Sequence, residues 1–146
     1  MKILVIEDTP KHRDDAKRFF AGESGVTAIY SSDWGGAKRF LEEKGKVDGV
    51  ISDIYFPYLN DSIWSEPEPV GVYVMILCRE RRIPCVLNTD GNHHGKRLQW
   101  IHEMIGHLGL PAMIDTGQDK AESKNWSQAF EALKTIIAPS NHPDQK

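Results

Sequence analysis

Acidic side chains stand at the ends of several short apolar runs, a pattern that brings charged oxygens together when the runs are neighbouring strands. Glu7 and Asp8 follow Ile3-Leu4-Val5-Ile6, Asp53 lies within Val50-Ile51-Ser52-Asp53-Ile54, Asn88-Thr89-Asp90 close the run that starts at Cys85, and Asp115-Thr116 follow Ala112-Met113-Ile114. In an open parallel sheet, ligands bind beyond the carboxyl ends of the strands, where the chain order reverses. Carboxylates converging there repel one another and stay ionised only beside a cation; Mg2+, which prefers hard oxygen ligands and keeps several waters, suits such a set. Taken one by one, the same acids also serve as helix caps or solvated loop charges.

Other spacings carry less chemistry. Gly91-Asn92-His93-His94-Gly95-Lys96-Arg97 has three residues between its glycines where a phosphate-binding P-loop needs four, and Arg97 stands where that loop carries a hydroxyl for magnesium. His102 and His107 are five apart, so they do not share a helix face as zinc-protease histidines do. His93 and His94 sit at the mouth of the expected pocket, as metal ligands, proton carriers or plain surface groups. Cys78 and Cys85 show no metal spacing and read as buried thiols.

The elements that position these groups follow from periodicity. Apolar runs alternate with segments of helical period, which predicts an α/β protein whose parallel sheet is covered by helices on both faces. The strands are expected at Ile3–Ile6, Val26–Tyr30, Val50–Ile54, Cys85–Asn88 and Ala112–Ile114. Thr9-Pro10 is an N-cap and first-turn pair for a helix with Ala16, Phe19 and Phe20 inside, and Ser31 to Asp33 cap one carrying Trp34, Ala37, Phe40 and Leu41. Further helices span Val70 to Arg81, start near His94 with Leu98, Ile101, Ile105 and Leu108 on one face, and carry Trp126, Phe130, Leu133 and Ile137 before Pro139. The prolines and acids from Pro57 to Pro69 require a loop, and its Tyr58, Ile63 and Trp64 are either partner anchors or a cover for the pocket.

The 146 residues correspond to one domain, expected over 1–138, with a polar tail at 139–146. A formal charge of −3 argues against general nucleic-acid or membrane-surface binding. The apolar start is shorter than a signal peptide's, which points to a cytoplasmic protein.

Three separated pieces, Ile3 to Asp8, Asp53-Ile54-Tyr55-Phe56-Pro57, and Pro84 followed five residues later by Thr89, together resemble the receiver domains of bacterial response regulators. The resemblance spans Met1 to Ala138 and implies a flavodoxin-like, doubly wound five-stranded parallel sheet of order 2-1-3-4-5. It further implies that Asp53 is the phosphoacceptor, that Glu7, Asp8 and Asp53 hold Mg2+ with the Tyr55 backbone carbonyl, and that Thr89 hydrogen-bonds the phosphoryl group. The implied partners are a sensor histidine kinase or phosphotransfer protein and a downstream protein that reads the changed surface.

The chain also departs from that pattern. Thr116 stands where receivers carry a lysine after the fifth strand, leaving Lys120 or Lys124 to serve; Lys120 is the expected choice, because Lys124 lies close to the last helix, where it can be solvated. Met113 replaces the usual aromatic residue, and Asp90 replaces a small residue after the threonine, adding negative charge near an incoming phosphoryl group. The glycine expected four residues after the proline falls at Gly71, fourteen after Pro57, so the 58–69 loop is an insertion. Three functions remain open: a stand-alone phosphorylated receiver, a receiver-like module that binds partners without phosphorylation, and a metal-dependent hydrolase using His93 or His94.

Overall fold

A computed structural model describes residues 1–43, 47–59, 66–90, 99–115 and 124–138. The expected tail at 139–146, the loop tip with Ile63 and Trp64, the His93-His94 pair, Thr116 and Lys120 lie outside the described residues. The elements run β1 (Lys2–Ile6), α1 (Pro10–Ala21), β2 (Thr27–Ser31), α2 (Trp34–Lys38, continued by a π-helical turn at Arg39–Glu43), β3 (Gly49–Ser52), α3 (Val70–Glu80), β4 (Cys85–Thr89), α4 (Gln99–Leu108), β5 (Ile114–Asp115) and α5 (Trp126–Ile137). All strands pair in parallel in the order β2-β1-β3-β4-β5, the doubly wound arrangement expected from the alternation and the resemblance.

Strand alternation divides the core into two layers. Ile3, Val5, Ile51 and Val86 pack with Ala16 and Phe20 of α1 and Trp126, Phe130 and Leu133 of α5. Leu4, Ile6, Val50, Cys85 and Leu87 pack on the other face against Trp34, Met75, Cys78 and Ile101. Consecutive residues of one strand serve opposite layers because successive side chains point to opposite faces of a sheet. Both faces are thus covered, which is why the inner strands read as nearly unbroken apolar runs.

Local details correct the sequence reading in places. The fifth strand is displaced towards its C-terminal end, to Ile114–Asp115, because its register comes from pairing Ile114 with Asn88 and Asp115 with Thr89 rather than from its own apolar run. Thr9 takes the N-cap position but makes no side-chain cap bond; its hydroxyl turns instead towards Asp8 at 3.5 Å. Asp33 does cap α2, accepting from Gly36 N at 2.6 Å. Among the described residues, no helix is long and apolar enough to cross a membrane.

α3 ends in a Schellman turn, with Ile83 N–H donating to Cys78 O at 2.8 Å and Arg82 N–H to Arg79 O at 3.1 Å. The residue in the left-handed position is Arg82, with φ of 58°, where glycine meets no Cβ penalty. Arg82→Gly is therefore expected to raise stability by up to about 1 kcal/mol, seen as a higher urea midpoint at unchanged slope. A lowered midpoint would contradict this account of the turn.

Candidate functional site

The carboxyl ends of β1 and β3 are adjacent, and both ladders run one residue past their strands. Glu7 N–H donates to Ser31 O at 2.9 Å and Asp53 N–H to Ile6 O at 2.8 Å. With the ladders continuing through both positions the alternation continues too, so Glu7 and Asp53 turn to the α1/α5 face, as Val5 and Ile51 do. Carboxylate oxygens of Glu7, Asp8 and Asp53 lie within 4.8 Å of one another. Glu7 is fully buried, Asp53 nearly so, and Asp8 partly exposed at the rim.

The cation among them is Lys124. Its ammonium lies 2.5 Å from Glu7 Oε2 and 2.8 Å from Asp53 Oδ2, with the lysine side chain only 1% exposed. Expected as a solvated residue beside the last helix, Lys124 is instead buried in the carboxylate cluster. It sits two residues before α5, whose start is fixed by the burial of Trp126 and by Asn125, which caps the helix by accepting from Gln128 N at 3.0 Å. Periodicity could not locate this residue, because its role depends on how the chain returns from β5. A lysine close before an anchored helix is the one available signal.

The remaining oxygens are held by backbone. Thr9 N–H donates to Glu7 Oε1 at 3.0 Å, and Ile54 N–H to Asp53 Oδ1 at 2.7 Å. The Arg13 guanidinium, which sequence reasoning missed, donates to the Glu7 and Asp8 carbonyls at 3.1 and 3.3 Å and so fixes the β1–α1 turn. Thr89 is buried at the end of β4. Tyr55 lies two residues past Asp53, on a loop closed by paired backbone hydrogen bonds of 3.2 Å between Phe56 and Glu68.

Gly71 explains how the inserted loop coexists with the site. Its N–H donates to Ile54 O at 2.9 Å, and an added Cβ would stand 2.0 Å from Asp53 O and 2.8 Å from Ile54 Cα. The backbone carrying Asp53 thus packs directly on the backbone of α3, a contact that only glycine permits. The insertion spans the gap between Phe56 and Glu68 and leaves this contact in place.

Burial pushes the Glu7 carboxyl up to about 7, with Asp53 adding to the rise and Lys124 opposing it. Burial, and then Asp53, raise Asp8 as well. For Lys124, burial disfavours the charge, but the ion pairs with Asp53 and Glu7 together outweigh it and raise the ammonium above its ordinary value. Three carboxylates facing one ammonium leave an excess of negative charge, and a proton on Glu7 relieves part of it. The donor set fits a hard divalent cation: it consists of carboxylate oxygens that all lie within 4.8 Å of one another.

No family model and no curated protein matches the sequence. Solved structures do match in fold. A receiver domain of a signal transduction histidine kinase from Syntrophus aciditrophicus aligns over 99% of this chain and 96% of its own, with a TM-score of 0.64 and 18% identity. The receiver domain of a sensor histidine kinase from Pseudomonas aeruginosa, solved with a magnesium ion coordinated in its active site cleft, aligns over 93% and 96% with a TM-score of 0.60 and 18% identity. A response regulator receiver domain protein from Clostridium thermocellum aligns over 93% of each chain with a TM-score of 0.61 and 20% identity. The fold is that of response regulator receiver domains.

Two outcomes test this geometry. Gly71→Ala is expected to cost about 3 kcal/mol or more, because the clash is with backbone and no side chain can move aside; a loss below about 1 kcal/mol in urea unfolding would contradict it. Glu7 binds its proton more tightly when folded, so its contribution is fully present below the unfolded value near 4.5 and is lost as pH rises through about 7. In chelator, the protein is therefore expected to lose stability from pH 5 to 8, by an amount on the order of 3 kcal/mol from this group. Glu7→Gln, neutral throughout, should flatten that slope, and an unchanged slope would show that Glu7 is not its source.

Proposed function

We propose that the protein is a stand-alone response regulator receiver that accepts a phosphoryl group on Asp53 and signals through an altered protein surface. The observation that carries this reading is the Lys124 ammonium lodged between Glu7 and Asp53, 2.5 and 2.8 Å away, in a receiver fold with Asp8 at the rim. Phosphoryl transfer needs a carboxylate nucleophile in line with the donor and positive charge around the transferring group, with little other covalent work for the protein. Asp53 supplies the nucleophilic oxygen: its bond to phosphorus forms as the donor's bond breaks, and hydrolysis later returns the free carboxylate and inorganic phosphate.

Lys124 is the residue proposed to compensate the added charge, in place of Lys120, which lies outside the described residues. Thr89 offers its hydroxyl to a phosphoryl oxygen from the neighbouring strand. Mg2+ would be held by Glu7, Asp8 and Asp53 with the Tyr55 carbonyl, and when bound it supplies further positive charge for the phosphoryl oxygens. The proposed partners are a sensor histidine kinase or phosphotransfer protein upstream and a protein that reads the surface downstream.

Incubation with Mg2+ and a small acyl phosphate, followed by intact-mass measurement, is expected to show the gain of one phosphoryl group, labile to base. Asp53→Asn should abolish the gain while keeping the fold, and a chelator should suppress it. Lys124→Ala should reduce uptake about tenfold or more, in line with the loss of an electrostatic donor at a charged transition state. No gain with wild-type protein would leave a phosphorylation-independent binding module as the better reading, and equal labelling of Asp53→Asn would place the acceptor elsewhere.

A further inference from the structure

The register that pairs Ser52 with Leu87 sets Asp53 beside Asn88, and Asp90 two residues further along the same strand end. Val86 faces the α1/α5 layer, so by alternation Asn88 and Asp90 face it too, as Asp53 does. A phosphoryl group on Asp53 would therefore meet a further negative charge, at Asp90, from the strand that also carries Thr89. Like charges at such a position slow the arrival of an anion.

His12 answers that charge. It lies in the first turn of α1, and its Nε2 stands 3.4 Å from Asp90 Oδ2, with the two side chains 10% and 17% exposed. β1, which leads into α1, and β4 are not neighbours; β3 runs between them. The contact therefore passes over the end of β3, where Asp53 sits. An imidazole turned to a carboxylate presents an N–H edge in either protonation state, which leaves Nδ1 as the acceptor of the neutral ring.

That Nδ1 is buried and has no hydrogen-bond partner among the described residues, and the same holds for both amide atoms of Asn88, which is fully buried. Buried polar atoms in proteins are almost always satisfied by protein, ordered water or ligand. A wall of His12, Asn88 and Asp90 is not explained by close packing of an apolar core.

Extending the phosphoacceptor reading above, we propose that His12 is a positioning residue for the phosphoryl site: it binds and offsets the Asp90 carboxylate, so that an anion can be accepted at Asp53 and Thr89 despite the acid that follows the threonine. A pair of this kind predicts coupling rather than two separate effects.

The test compares labelling rates with a small acyl phosphate and Mg2+ in wild type, His12→Leu, Asp90→Ala and the double variant. His12→Leu is expected to label about tenfold more slowly, a size typical of coupling between contacting residues. Asp90→Ala should label at least as fast as wild type, and the double variant should return to the Asp90→Ala rate. His12→Gln, which keeps an N–H donor, should retain most of the wild-type rate. Equal slowing by His12→Leu in both backgrounds, or none in either, overturns the pair while leaving the phosphoacceptor reading intact. Should His12→Leu not fold, Asp90→Asn decides from the other side: it removes charge at nearly constant shape, and labelling slower than wild type would sink the proposal. Failure of wild type and Asp90→Ala alike to label removes the phosphoacceptor reading, and this inference with it.

Discussion

The ammonium of Lys124 between Glu7 and Asp53 is the contact on which the upper end of this molecule depends. Parallel pairing of β1 and β3 forces two buried carboxylates to the same edge of the sheet, whatever else the chain does. An isolated buried charge is expensive, and a buried pair is not by itself a source of stability, since the Coulomb attraction has first to offset the loss of hydration. Removing the partner is another matter, because it leaves uncompensated charge in a dry site. The arrangement is better understood as charge stored at a fixed place than as a bond that holds the fold together.

Delivering a lysine to that place is the work of α5. Trp126 is buried in the same layer as Ile51 and Val86, and the Asn125 cap sets where the helix begins, so Lys124 has little freedom once the helix is packed. The insertion at 58–69 returns to the sheet at a residue that is pinned in a similar way. Gly71 fixes that return against the Asp53 backbone, as the buried Trp126 fixes the start of α5. Length was added where closure costs rise only slowly with loop size, and the backbone contacts that define the site stayed as they were.

Much of this was legible in the residues. The apolar runs and the acids at their ends gave the strands, their parallel pairing and the identity of the carboxylate cluster, because side-chain period and strand-end position are local properties of sequence. Lys124 was legible only as one of two candidates, and Lys120, which lies outside the described residues, looked better. Its neighbour in sequence is a helix, where lysine is ordinarily solvated, and its burial comes from a tertiary contact with Glu7, 117 residues away. The displacement of β5 has a similar origin, since Asn88 and Thr89 of the neighbouring strand decide its register. Arg13 and His12 stand in no motif that would mark them in the sequence; only the fold shows that one grips the β1–α1 turn and the other reaches Asp90.

The alternation of the strands also decides which part of the molecule can feel the site. Glu7 and Asp53 turn to the α1/α5 face, Lys124 comes from the start of α5, and His12 from the start of α1. A change of charge at Asp53 therefore acts first on two helix starts that share one layer of core, through an ammonium that would have to divide itself between old and new partners. The opposite layer meets Asp53 through backbone, at Gly71, where the contact is steric and indifferent to charge. An electrostatic event and a mechanical constraint thus reach the same residue from opposite faces of the sheet. Movement of Lys124 is the cheaper response, because shifting the α3 contact would require backbone to separate from backbone.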